Sequence, residues 1–177
     1  MNLPNKLTLG RVIAVPFFIA AYMLEYYWVA LILFIAASIT DLLDGKIARA
    51  RNLVTNFGKI MDPLADKILV YSALCLFLEQ GLIEAWMLIV ILAREFAIAG
   101  MRAVAAAEGR VLAAGMSGKI KTVLQMIAVP LMILAEAAGT VSIPIMFVGV
   151  IMFWASLVMT VYSGAEYIIR NKDIFSM

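Results

Sequence analysis

Apolar residues run in six long stretches, near residues 7–24, 28–50, 58–79, 84–106, 118–136 and 143–169. Each approaches or exceeds the ~20 residues that a helix needs to cross a hydrocarbon layer about 30 Å thick. Three short turns separate them in pairs: "EYY" at 25–27, "EQGLIE" at 79–84 and "EAAGTVSIP" at 136–144. In the last, Pro144 fits just inside a helix start, with Ser142 before it as a cap. The pattern predicts an all-α integral membrane protein, a bundle of six transmembrane helices forming a single domain over residues 1–177. Pro4 opens a short N-terminal segment with Leu3, Leu7 and Leu9, expected to lie on the membrane surface before the first span. "MNLPNKLTLGR" lacks a short apolar core followed by a small-residue cleavage site, so no removable signal peptide is expected.

Charge sets the orientation. The chain is 65% hydrophobic and 15% charged, well outside the usual composition of a soluble domain. All fourteen Lys and Arg fall at the N-terminus, in the second–third and fourth–fifth connections with their flanking helix ends, or at the C-terminus. The three short turns carry only Glu25, Glu79, Glu84 and Glu136. Basic residues stay on the cytoplasmic side. Both termini and both polar connections are therefore assigned to the cytoplasm, and the chain to the cell membrane as a multi-pass protein. Membrane lipid is an expected partner; nucleic acid is not. Trp28 and Trp86 flank outer turns as interfacial anchors. There is no histidine and one cysteine, Cys75, expected to be a small buried apolar residue. Neither an intrachain disulfide nor a Cys/His metal site can form, so any bound metal is held by oxygen, which suits Mg²⁺, Mn²⁺ or Ca²⁺.

Spans three, four and five are apolar only in their outer halves. Counting ~1.5 Å per helical residue from the outer turns puts Asp41 and Asp66 roughly 20 Å inward, and Asp44 and Asp62 roughly 25 Å inward. Arg102 and Lys119 fall near that level, Lys121 slightly shallower and Arg94 at about 15 Å. The bundle is thus expected to hold a polar cavity open on the inner side and sealed on the outer. An aspartate at mid-membrane costs about 3 kcal/mol, so four cost on the order of 10 kcal/mol. Asp41, Asp44, Gly45 and Ala48 sit at i, i+3, i+4 and i+7, one helical stripe; Gly58, Asp62 and Asp66 sit at i, i+4 and i+8, another. A short connection makes these helices antiparallel neighbours whose stripes can face each other. Clustered carboxylates repel unless a cation lies among them. Two divalent ions roughly 4 Å apart are the usual clamp for displacement at phosphorus. The small residues on the stripes leave room for a bulky group against the backbone, although each alone also suits helix packing.

Written out, the stretch is Asp41-x-x-Asp44-Gly45-x-x-Ala48-Arg49, eight further residues, then Gly58-x-x-x-Asp62-x-x-x-Asp66. It resembles the signature of the CDP-alcohol phosphotransferases in residue type and spacing, and six spans with inner-side termini are similar to that family's fold. The resemblance implies transfer of a phosphatidyl or similar phosphoryl group from a CDP-linked donor to an alcohol, with release of CMP. It implies Asp41, Asp44 and Asp62 as the main ligands of Mg²⁺ or Mn²⁺, two ions in all. Asp66 completes that site and acts as general base on the attacking hydroxyl. The nucleotide would lie against Asp44, Gly45, Ala48 and Gly58, with Arg49 on its phosphates or on the aspartates. Asn5 and Thr8 resemble a stretch near the nucleotide; the competing reading makes Asn5, Thr8 and Arg11 interfacial anchors. Relatives pair as homodimers.

The acceptor is read elsewhere. "AREFAIAGMR" places Arg94 and Arg102 eight residues apart on one side of the fourth span, and "GMSGKIKT" adds Lys119, Lys121 and Thr122. Arg94 lies too deep for a solvated surface. It either pairs with Glu95 or the aspartates, or joins a pocket for an anionic acceptor, for which Arg and Lys are the usual phosphate ligands. "NLVTNFGKIMDPLADK", "AREFAIAGMR" and "GKIKT" resemble the family members that join CDP-diacylglycerol to sn-glycerol 3-phosphate. An acceptor phosphate gives Arg94, Arg102, Lys119 and Lys121 a purpose that neutral inositol would not. The rivals are a same-family enzyme for inositol phosphate, phosphatidylglycerol or serine, and a small cation transporter, which requires acidic groups near mid-depth with access from both sides.

Overall fold

The computed structural model describes residues 3–50, 56–113, 115–139 and 142–174, and for 3–6, 41–50, 56–60, 62, 63, 66 and 174 it describes the backbone alone. Among the described residues the fold is all helical: α1 Leu3–Met23, α2 Tyr27–Ala50, α3 Asn56–Glu79, α4 Ala85–Ala107, α5 Met116–Ala137 and α6 Ser142–Arg170, then a 3-10 turn at Lys172–Ile174. The N-terminal segment is not separate from the first span. Leu3 to Leu9 form the opening turns of α1, because Pro4 sits in the first turn, where a missing N–H deprives the helix of nothing. Pro144 occupies the same kind of position in α6.

Left-handed residues follow four helices, Gly139 after α5 (φ 55°) among them. Glu25 after α1 (φ 61°), Gly81 after α3 (φ 73°) and Gly109 after α4 (φ 74°) reverse the chain. The next N–H bonds back to the last turn in each case: Tyr26 to Ala21 O at 2.9 Å, Leu82 to Phe77 O at 2.9 Å and Arg110 to Ala105 O at 2.8 Å. This closure satisfies carbonyls that a helix end would otherwise leave open. Glycine adopts the conformation freely; Glu25 bears a strain of roughly 1–2 kcal/mol. The first two of these turns meet, since Tyr22 Oη donates to Gln80 Oε1 at 2.6 Å and Gln80 Nε2 donates to Tyr27 Oη at 3.1 Å.

The helices associate in two sets. α1 packs along both α2 and α3, while α5 lies along α6 and α6 also holds α4. The sets meet chiefly where α2 runs against α5; α3 touches α4 and α5 sparingly. The core between them is apolar: Phe18, Tyr22, Phe34, Phe77, Met132, Ile133 and Phe153 are all buried, with rings of Phe18 and Phe34 5.8 Å apart. α5 and α6 come close at Gly149, where a β-carbon would lie 2.9 Å from Met132 Cγ.

Burial accounts for only part of the apolar surface. Ile32, Phe96, Val123, Phe147 and Val158 are exposed, on four different helices, more than a water-facing surface carries. α5 and α6 are each long and apolar enough to cross a membrane, and Leu7–Met23 and Tyr27–Thr40 form shorter apolar helices. The protein is therefore a membrane protein. Trp28 and Trp86 are exposed as anchors should be, with Trp86 Nε1 bonded to Glu84 Oε2 at 2.7 Å. Cys75 is exposed, contrary to expectation; Ala73, Leu74, Leu76 and Phe77 take the buried positions around it. Arg110 pairs with Asp173, tying the α4–α5 connection to the C-terminal turn. The hydrogen bond from Arg110 holds the Asp173 carboxyl below the usual aspartate range.

Candidate active site

Each helix of the first set carries a buried apolar stripe whose helical register leads on to polar residues. On α1 it runs from Tyr22 through Phe18 and Val15 to Arg11 and Thr8, the last two 2% and 0% exposed. Such burial excludes a surface-anchor role for Thr8 and Arg11. On α2 the buried positions Ala30, Phe34 and Ala37 continue in register to Asp41 and Asp44. On α3, Phe77, Ala73, Val70 and Leu69 continue to Asp66 and Asp62. α2 and α3 are unbroken through these positions. The side chains of Asp41, Asp44, Asp62 and Asp66 lie outside the described ones, as do those of Asn5, Gly45, Ala48, Arg49 and Gly58. Four carboxylates at i, i+3 and i, i+4 along two helices would, if brought together, offer an all-oxygen donor set of the kind that suits a hard divalent cation. Among the described residues no group of His, Cys, Asp or Glu can hold a metal ion.

Beside them, α3 to α6 enclose a cavity of about 880 Å³. Five basic side chains line it, Lys67, Arg94, Arg102, Lys119 and Arg170, against two carboxylates, Glu95 and Glu166. The surplus of positive charge favours an anion. Arg94 is the most firmly held. Its Nη1 donates to Glu95 Oε1 at 2.8 Å and its Nη2 to Ser163 Oγ at 3.0 Å. Its Nε is buried and has no acceptor among the described residues. Two glycines make room for it: a β-carbon on Gly118 would come within 3.0 Å of Arg94 Nη2, and one on Gly164 within 3.0 Å of Arg94 Cγ. Arg102 donates from Nε to Tyr167 Oη at 3.1 Å, with its guanidinium carbon 5.5 Å from that ring's centroid. Glu166 accepts from Ser117 Oγ and pairs with Arg170 at 2.7 Å.

Of the four cations expected at the acceptor, Arg94, Arg102 and Lys119 line this cavity and Lys121 does not. Lys121 is 4% exposed and lies behind the wall, its Nζ 2.8 Å from Glu95 Oε1. The two readings of Arg94 are compatible, since one face pairs with Glu95 while the side chain still borders the cavity. Lys67, Ser117, Ser163, Glu166, Tyr167 and Arg170 were not anticipated. Lys67 stood in plain view beside Asp66; the polar residues of α6 gave no signal, because only contact with α4 and α5 brings them to the cavity.

The spacing of the four aspartates, the positively charged cavity and the helical bundle fit one class of protein. The chain belongs to the CDP-alcohol phosphatidyltransferase family, whose model matches residues 1–162. That range holds all four aspartates and Arg94, Arg102, Lys119 and Lys121. The chain is 45% identical over 188 residues to the CDP-diacylglycerol–glycerol-3-phosphate 3-phosphatidyltransferase of Bacillus subtilis (strain 168), covering 97% of this chain and 96% of that one. Proteins of the same name from Rickettsia felis and Salmonella typhimurium are 37% identical over 178 residues and 35% identical over 176. These alignments cover 98% and 94% of this chain, and 97% and 93% of theirs.

Proposed function

We propose that this protein transfers the phosphatidyl group of CDP-diacylglycerol to sn-glycerol 3-phosphate, giving phosphatidylglycerol phosphate and CMP. The observation that carries the acceptor is Arg94 on the wall of a positively charged cavity, a guanidinium whose buried Nε has no acceptor among the described residues. A buried donor left unpaired is costly, and a phosphate oxygen relieves that cost with a charge-assisted hydrogen bond. Arg102 and Lys119 complete the cradle, and Lys121 supports it from behind through Glu95.

The acceptor's free primary hydroxyl attacks the phosphorus that bears the diacylglycerol. Asp66 takes the hydroxyl proton, the bond to the CMP oxygen breaks, and CMP leaves with the electron pair. The nucleotide is held by Asn5 and Thr8 of α1, Asp44, Gly45, Ala48 and Arg49 of α2, and Gly58 of α3. Two divalent cations, Mg²⁺ or Mn²⁺, held by Asp41, Asp44, Asp62 and Asp66, would offset the pyrophosphate charge and the charge developing on CMP. The low-dielectric walls strengthen every charge interaction in the site.

The whole chain forms one domain, and all six helices cross the membrane. The basic residues put both termini and the cavity mouth in the cytoplasm, so the donor enters sideways from the inner leaflet and the acceptor from the cytosol. The family resemblance further leads us to infer a homodimer. The test is CMP release by purified protein in detergent with CDP-diacylglycerol, Mg²⁺ and one acceptor at a time. Release with glycerol 3-phosphate alone, lost on adding EDTA, is the expected result. Release with inositol phosphate, serine or phosphatidylglycerol instead would keep the class and overturn the acceptor. No release with any acceptor would overturn both and leave cation transport to be tested.

A further inference from the structure

Charge from three helices converges on Glu95. Its Oε1 lies 2.8 Å from Arg94 Nη1 of α4 and 2.8 Å from Lys121 Nζ of α5, and its Oε2 lies 2.9 Å from Lys67 Nζ of α3. The carboxylate is 12% exposed. Three cations this close would repel one another strongly without it. Lys67 directly follows Asp66 in the chain. α3 makes few other contacts with α4 and α5. Among the described residues, Lys67–Glu95 is the one ion pair that joins the α1–α3 set to the α4–α6 set.

We propose that Glu95 is a positioning residue that sets the spacing between the acceptor's phosphate and the base on α3. It aims Arg94 at the phosphate and, through Lys67, holds α3 at a fixed distance from that phosphate. The inference rests on the acceptor reading above. In glycerol 3-phosphate the phosphate oxygen and the free primary hydroxyl stand at opposite ends of three carbons. The hydroxyl therefore reaches its attacking position only if the phosphate ligand and Asp66 are held at matching separation. Misplacement by about 1 Å costs on the order of 100-fold in rate. Glu95 touches neither the reacting atoms nor, in this arrangement, the phosphate.

The test uses the full chain and varies donor and acceptor separately in the CMP-release assay. Glu95→Gln keeps the shape and removes the charge. It is expected to raise the acceptor KM about 10-fold and to lower kcat about 10-fold, with the donor KM changed less than about twofold. Lys67→Met breaks the link between the two sets and also removes one of the cavity's cations; it is expected to lower kcat by more than it raises the acceptor KM. The double variant is expected to be no slower than Glu95→Gln alone, because both act through one contact. Wild-type kinetics in Glu95→Gln, an equal rise in both KM values, or additive losses in the double variant would overturn the proposal. If Glu95→Gln does not give monodisperse protein, Lys67→Met decides alone, and an unchanged kcat overturns it. Wild-type protein that releases no CMP with glycerol 3-phosphate overturns the functional reading itself. Wild-type turnover with unaffected variants overturns only the role of Glu95.

Discussion

The two helix sets place charge at the same end of the bundle by opposite means. In α1–α3 the acidic residues follow helical spacing on two successive helices, and four aspartates accumulate with like charge. In α4–α6 each of the best-held cations is braced by an oxygen from another part of the set: Arg94 by Ser163, Arg102 by Tyr167, Lys121 by Glu95. Carboxylates gathered in this way would call for cations from solution. The second brings counter-charges of its own and still leaves a positive surplus in the cavity. The proposed reaction, which joins a pyrophosphate donor to a second anion, uses both arrangements side by side.

Substitutions can separate the two. The largest effect is expected from Asp66→Asn, which removes the proposed base. Turnover should fall by about 10³-fold or more, while metal-dependent binding of CDP-diacylglycerol, measured by titration, largely survives. Near-normal turnover would move the base elsewhere. Arg94→Ala comes next and should raise the acceptor KM about 100-fold, leaving the donor KM within about twofold. Equal effects on both substrates would erase the division of labour between the sets. Gly164→Ala is gentler. Its new methyl presses on Arg94 Cγ at 3.0 Å, and the acceptor KM should rise roughly 3- to 10-fold with little loss of stability. The smallest change belongs to the scaffold: Glu25→Gly relieves the left-handed strain after α1 and should stabilise the folded protein by about 1 kcal/mol in a thermal-shift assay, with kinetics unchanged.

The contrast also explains what could be read before the structure. The aspartates stand out in the sequence because they recur at helical offsets on two successive helices, so spacing alone suggests a shared face. Helix limits were legible for the same reason: "EYY", "EQGLIE" and "EAAGTVSIP" break the apolar runs, and the second holds the Gly81 that ends α3. The Pro4 segment was misjudged because a proline there suits a surface segment and a helix start equally well. Cys75 was misjudged for a deeper reason. In lipid, outward and inward faces are both apolar, so hydrophobicity no longer reports burial. Glu95, Ser163 and Glu166 were invisible as a group because α4, α5 and α6 meet only in three dimensions. Arg94 was half legible: its depth marked it as unusual, but Gly118 and Gly164, which give it space, look like ordinary packing glycines.

Cys75 is the sole thiol in the chain and it is exposed on α3, on the same helix as Asp62 and Asp66 but some two turns and more away from them. It is a ready attachment point for a spectroscopic label, without any need to strip other cysteines first. A nitroxide there would report its own depth in a bilayer through its collisions with oxygen. If two copies pair, two such labels would give a single dipolar distance, and that one number would fix how the α3 helices of the two copies are disposed.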